Sequence, residues 1–190
     1  MKTQTPALHH DLINACRSGD RGAQSRIYQL YYKAMYNTSL RIVNDSAEAE
    51  DIMQESFLDA FQRLDTYTGE GTFGSWLKRI VINRSLDYLR KHQDKIPLEE
   101  AGIDLVDEPD QDFDEAVMLQ VTAVKQAIAE LPDEYRIVVT LLLIEGYDHE
   151  EVAQVLKITN QLSRTRYSRA RQKLLEILKR NNHHKAFSYN

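Results

Sequence analysis

A chain of 190 residues with 42% hydrophobic side chains can build one globular domain or two small ones, which excludes a disordered polypeptide. Its net charge of −5 argues at first against a nucleic-acid partner, and its one cysteine, Cys16, excludes an internal disulfide. The longest apolar run, residues 137–144, is broken by Thr140 and too short to span a bilayer, and the start MKTQTPALHHD lacks the order of a signal peptide. No membrane insertion is expected, and the cytoplasm is the expected location.

Helical apolar spacing runs through residues 7–43 in two pieces, 8–17 and 23–43, separated by Ser18, Gly19 and Asp20. Cys16, beside Ile13 and Ala15, reads as a buried thiol. Tyr28, Tyr31, Tyr32 and Tyr36 fall at helical spacing, so packing with a wet hydroxyl is expected of them before base stacking. The next helix, 47–64, gathers Ala49, Met53, Phe57, Ala60 and Leu64 on one side. On the other, Glu48, Asp51, Glu55 and Gln62 surround Leu58. A solvated face explains the acids but not the leucine, and a docking face for a basic helical partner explains both.

The loop DTYTGEGTFGSW places Gly69, Gly71 and Gly74 among Thr66, Tyr67, Thr68, Thr72 and Ser75. No Gly-Lys-Ser/Thr comes after it and no strand precedes it, which excludes a nucleotide-phosphate loop. Small hydroxyl side chains and free amides suit a shallow pocket for an unstacked base. The next helix, 73–91, carries Lys78, Arg79, Arg84, Arg90 and Lys91, with Trp76, Arg79, Asn83 and Arg90 on one side. That mixture suits single-stranded DNA, although Trp76 taken alone is expected in the core, with Asn83 and Asp87 satisfying buried polar groups.

Residues 96–116 hold nine acids and no base; without them the chain has 24 bases against 20 acids, so its acidity is local. With Pro97, Gly102 and Pro109 and little helical period, the stretch reads as a flexible, solvating linker. Beyond it, Asp148 and Glu151 form a capping box for a helix whose apolar side is Val152, Ala153 and Leu156, and residues 157–159 make a turn. Thr159 then caps a second helix with Ser163, Tyr167, Ala170, Leu174 and Ile177 facing inward. From Lys157 to Arg180 the local charge is roughly +7. This is a helix-turn-helix pattern: Asn160, Gln161, Arg164, Thr165 and Ser168 are placed for base edges, and Arg166, Arg169, Arg171 and Lys173 for phosphates.

Two ordered blocks carry a family resemblance. AEDIMQESFLDAFQRL followed by GTFGSWLKRIVINRSLDYLRK, and AIAELPDEYRIVVTLLLIEGYDHEEVAQVLKIT followed by LSRTRYSRARQKL, resemble an extracytoplasmic-function (ECF) sigma factor, the promoter-recognition subunit of bacterial RNA polymerase. The resemblance covers about residues 8–180. It implies an all-α chain of two small helical domains, 1–95 and 117–181, the second containing the helix-turn-helix. A flexible acidic linker, 96–116, joins them, and residues 182–190 form a disordered tail.

By the same resemblance, Glu48, Asp51, Gln54, Glu55, Leu58 and Gln62 would dock on the clamp helices of the polymerase's largest subunit. Thr66, Tyr67, Thr68 and Thr72 would hold a flipped base of the minus-ten element, with Trp76, Lys78, Arg79, Asn83 and Arg84 supporting strand separation. Val138, Leu141 and Leu142 would meet the polymerase flap, and residues 160–173 would read the minus-thirty-five element. An anti-sigma factor is a possible further partner. Lys157 stands where the family has a turn glycine, and Leu162 where a small hydroxyl residue is common, so the promoter sequence does not carry over. The competing reading is a stand-alone helix-turn-helix regulator, which gives the face around Leu58 no role. No enzymatic spacing occurs among the histidines, no cofactor is expected, and the adjacent His183 and His184 are weak metal ligands.

Overall fold

The computed structural model describes residues 9–92 and 115–187, with side chains from 9–92 and 119–181. The chain divides into two compact units, Met1–Val106 and Asp107–Asn190. Most of the expected acidic linker lies outside the described residues, as do residues 188–190. Among the described residues every regular element is helical.

The first unit is built from α1 (His10–Arg17), α2 (Arg21–Val43), α3 (Ser46–Gln62) and α4 (Phe73–His92), with one 3₁₀ turn at Leu64–Thr66. Its boundaries arise from local chemistry. The Asp20 carboxylate accepts from the amides of Gly22 and Ala23 and starts α2. Asn44, left-handed at φ 60°, ends α2, and the next residue, Asp45, caps α3 by accepting from the Glu48 amide at 3.0 Å. An αL residue succeeded at once by an N-cap turns the chain between two long helices in two residues.

α2 packs against both α3 and α4, and α3 against α4. The core between them contains Ile13, Cys16, Ile27, Met35, Met53, Phe57, Leu64, Phe73, Leu77 and Val81. Where α2 and α4 cross, small side chains let the backbones approach: buried Ser39 and Ser85 share a hydrogen bond of 3.0 Å. The Cys16 thiol is buried as expected, and burial, helped by the Asp20 charge, raises its pKa. The tyrosines also behave as their spacing predicts: Tyr28, Tyr31, Tyr32 and Tyr36 are partly buried against this core.

The second unit comprises α5 (Glu115–Ala129), α6 (Asp133–Val139), a π-helical turn (Thr140–Ile144), α7 (His149–Leu156) and α8 (Asn160–Phe187). α5 begins two residues inside the expected linker. α8 continues to Phe187, where an unstructured tail is expected from 182; residues 181–186 contain no glycine or proline to stop it. Ala127, Leu131, Val139, Ala170 and Ile177 form the core between α5, α6 and α8.

The π turn changes which side chains are presented to solvent. One extra residue in a helical turn rotates the succeeding side chains by roughly 100° about the helix axis. Val138, Val139, Thr140 and Leu141 are fully buried, whereas Leu143 is 56% and Ile144 39% exposed. Val138 and Leu141, expected on a partner-facing surface, are therefore interior; Leu142 is half-buried. Arg136 is also interior, 3% exposed, bound to the Asp133 carboxylate at 2.8 Å; burial lowers its pKa against the opposing pull of Asp133.

Candidate functional site

α3 presents the first candidate surface. Burying Ile52, Met53, Ser56, Phe57 and Ala60 turns Asp51, Gln54, Glu55, Leu58 and Gln62 to solvent, with Leu58 63% exposed. Six of the expected residues thus share one side, Glu48 being half-buried at its edge. Three acids of α3 are held from α4. Arg84 pairs with Glu55 and reaches Asp59 at 2.7 and 2.9 Å. Tyr88 meets Glu48: burial first, then that carboxylate's charge and hydrogen bond, raise the Tyr88 hydroxyl. Arg84, expected to support strand separation, is thus engaged with the acids of α3.

The loop between the 3₁₀ turn and α4 is the second surface. Thr66, Thr68 and Thr72 are exposed, as expected of residues that could meet a base. Tyr67 is not: it is 5% exposed, with its ring 5.6 Å from those of Phe73 and Trp76. Its hydroxyl donates to the Gly71 carbonyl at 3.1 Å, so the residue expected to hold a base closes the loop from inside. Gly71 makes that closure possible with φ +79°, a conformation that side chains resist. Thr72 starts α4 by accepting from the Ser75 amide at 3.1 Å.

On α4, Trp76 is half-buried against the core, while Arg79 and Asn83 are exposed and Lys78 is half-buried. Asn83 and Asp87 do not satisfy buried polar groups: both lie at the surface, where Asp87 accepts from Arg90 at 2.6 Å. Sequence spacing missed Arg17 altogether. From α1 it donates to the Tyr67 carbonyl at 2.6 Å and the Leu64 carbonyl at 3.5 Å, residues 50 and 47 positions away. No periodicity within α1 signals such a reach.

α7 and α8 supply the third surface. The capping box of Asp148 and Glu151 is complete, and Lys157 makes the turn in the left-handed region at φ 56°, ψ 43°. Thr159 accepts from the Leu162 amide and begins α8. Ser163, Ala170 and Ile177 are buried, with Tyr167 and Leu174 half-buried beside them, so the expected inward stripe is present. Ser163 also bonds His149 Nδ1 at 2.9 Å, and the His149 ring meets Tyr167 edge-on, which locks the first helix to the second.

The opposite side of α8 forms a shallow concavity lined by Gln161, Arg164, Thr165, Ser168, Arg169 and Gln172. Asn160 holds Arg164 along the helix at 2.8 Å. The expected phosphate residues divide. Arg169, Arg171 and Lys173 are exposed, Arg171 near the Tyr167 ring and Lys173 near Glu176 at 3.2 Å. Arg166 is drawn back to Glu134 on α6 at 3.3 Å.

No helix among the described residues is long and apolar enough to cross a membrane, and no described group of three or more His, Cys, Asp or Glu could hold a metal ion. The side chains of His183 and His184 lie outside the described ones.

Comparison with known proteins gives the two units separate matches. Residues 27–95 match the family model for sigma-70 region 2, and residues 122–174 that for sigma-70 region 4. The ECF RNA polymerase sigma factor SigW of Bacillus subtilis is 30% identical over 177 residues, covering 88% of this chain and 95% of the relative. The RNA polymerase sigma-H factor of Pseudomonas aeruginosa is 29% identical, covering 92% and 95%. Among solved structures, the fold resembles the sigma factor RpoE in complex with the anti-sigma factor NepR from Bartonella quintana, with TM-score 0.59 and 24% identity over 82% of this chain and 96% of that one. CnrH in complex with the cytosolic domain of CnrY gives TM-score 0.53 at 24% identity, covering 89% and 96%.

A stand-alone helix-turn-helix regulator accounts for the second matched segment and leaves the first without a reason. Region 2 succeeded by region 4, with 30% identity to SigW running through both, means that this chain belongs to the family of ECF RNA polymerase sigma factors.

Proposed function

We propose that this sigma factor docks on core RNA polymerase through the outward face of α3, opens the minus-ten element with the Thr66–Thr72 loop and α4, and reads the minus-thirty-five element with α8. The observation that carries the reading is Leu58, 63% exposed and ringed by Asp51, Gln54, Glu55 and Gln62. An apolar anchor inside an acidic rim suits a basic helical partner.

The exposed hydroxyls of Thr66, Thr68 and Thr72, with Arg79 and Asn83 beyond them, support contact with an unpaired strand. Tyr67 shapes that loop, and Arg84 orients Glu55 and Asp59. On α8, Gln161, Arg164, Thr165 and Ser168 suit base edges, while Arg169, Arg171 and Lys173 suit phosphates. Asn160 steadies Arg164, and Arg166, tied to Glu134, serves the packing of α8 on α6. Leu143 and Ile144, turned out by the π helix, take over the flap contact from the buried Val138 and Leu141. The protein catalyses no reaction of its own and works in the cytoplasm. A partner that masks these faces, as NepR accompanies RpoE and CnrY accompanies CnrH, would act as an anti-sigma factor.

The test is promoter binding by the purified chain with and without core bacterial polymerase. A salt-resistant complex that requires the core enzyme, with permanganate-reactive thymines, is expected. Specific duplex binding by the chain alone, unchanged by the core enzyme, would overturn the assignment.

A further inference from the structure

We propose that Arg17 is a positioning residue for minus-ten recognition: from α1 it sets the backbone of the Leu64–Phe73 segment and so tunes which base the loop accepts. The proposal rests on the function assigned above to that loop. Tyr67 is the segment's centre and is fixed at three points. Its ring lies in the core, its hydroxyl closes on the Gly71 carbonyl at 3.1 Å, and its own carbonyl accepts from Arg17 Nη2 at 2.6 Å. The first two contacts belong to the loop and its core; the third comes from another helix. It is short and charge-assisted, the stronger class of hydrogen bond. The same nitrogen reaches the Leu64 carbonyl at 3.5 Å, so one guanidinium spans both ends of the 3₁₀ turn.

α1 is a firm base for this contact, because Ile13 and Cys16 sink its inner side into the core at 2% and 4% exposure. Asn14 holds the other end of the guanidinium, Nη1, at 3.3 Å. The remaining polar contacts of the loop are short-range: Thr66 Oγ1 donates to the Arg63 carbonyl and Thr68 Oγ1 accepts from the Glu70 amide. They shape individual turns without anchoring the loop to the body of the unit. Arg17 supplies such an anchor, and the exposed hydroxyls of Thr66 and Thr68 flank the carbonyl it holds. A shift of that carbonyl moves both hydroxyls relative to any base between them.

The test uses holoenzyme assembled from core polymerase and the full chain, on a promoter that the wild-type holoenzyme melts, with each minus-ten position changed in turn to the other three bases. Arg17→Ala is expected to bind core polymerase as wild-type does and to lose preference at one position by about five- to tenfold, the low end of what one base contact discriminates. Arg17→Lys should recover part of that preference, since one ammonium can reach one of the two carbonyls. Tyr67→Phe, which keeps the buried ring and removes only the bond to Gly71, should relax the same position.

A uniform loss across all sequences, with a shallower salt dependence, would make Arg17 a phosphate contact and overturn the inference. Unchanged base preference in Arg17→Ala would also overturn it while leaving the loop's function intact. Failure of the wild-type holoenzyme to melt any promoter would overturn the proposed function itself, and this inference with it.

Discussion

Single residues in this chain carry strain and orientation that their neighbours absorb. Lys157 turns the helix-turn-helix at φ 56°, where a side chain is disfavoured by roughly 1 kcal/mol relative to glycine. The turn nevertheless keeps its shape, because the Lys157 amide donates to Gln154, the Ile158 amide donates to Ala153, and His149 and Ser163 bind the two helices together. Lys157→Gly should therefore stabilise the second unit by about 0.5 kcal/mol or less, since the freer unfolded chain offsets most of the strain relieved. Thermal unfolding of the full chain checks this; a lower midpoint would mean that the lysine side chain makes a stabilising contact outweighing its strain. Tyr67 illustrates the opposite relation between a residue and its loop. Its place in a run of threonines suggests a base contact, yet its size and its Phe73 and Trp76 neighbours send the ring inward, and the loop is wrapped around it.

At the scale of elements, the helices were legible because their ends are written in local chemistry. Asp20, Asp45, Asp148 and Thr159 each cap a helix within three residues, and the apolar period then selects the inward side. The α3 face and the α8 reading face come from that period directly. What remained hidden depends on contacts distant in sequence or on helical register. The π turn at Thr140–Ile144 breaks the 3.6-residue rule without glycine or proline inside it and turns Leu143 and Ile144 outward, while Val138, ahead of the turn, and Leu141 are buried. Arg84 lies on a basic helix, and only the packing of α3 on α4 brings it to Glu55 and Asp59. Arg84→Ala should lower stability by about 1 kcal/mol or less, the range of a half-exposed ion pair, and weaken core polymerase binding by freeing Glu55. Wild-type core affinity combined with impaired promoter opening would return Arg84 to the DNA. On α8, Arg164→Ala should cost roughly 1–3 kcal/mol at one base pair of the upstream element if its contact is bidentate. Binding measured across single-base variants checks this; an equal loss on every sequence would make Arg164 a phosphate contact.

The whole molecule joins a helix of roughly +7, proposed to read DNA, to a chain whose net charge is −5. The nine acids of residues 96–116 oppose the general attraction of α8 for duplex DNA, and on the proposed function core polymerase brings that helix to the promoter. If α3 docks as proposed, the second unit is tethered to the same assembly, and its DNA binding becomes effectively intramolecular. Upstream recognition should then depend on a residue that touches no upstream DNA. Leu58→Asp is the direct test: the side chain is exposed in the free protein, so the fold should persist, with circular dichroism and unfolding midpoint unchanged. Core polymerase binding should be abolished, and protection of the minus-thirty-five element should vanish with it although every residue of α8 is intact. Retained upstream protection in a folded Leu58→Asp chain that no longer binds polymerase would show that the second unit finds its DNA alone, and would undo the link between docking and reading.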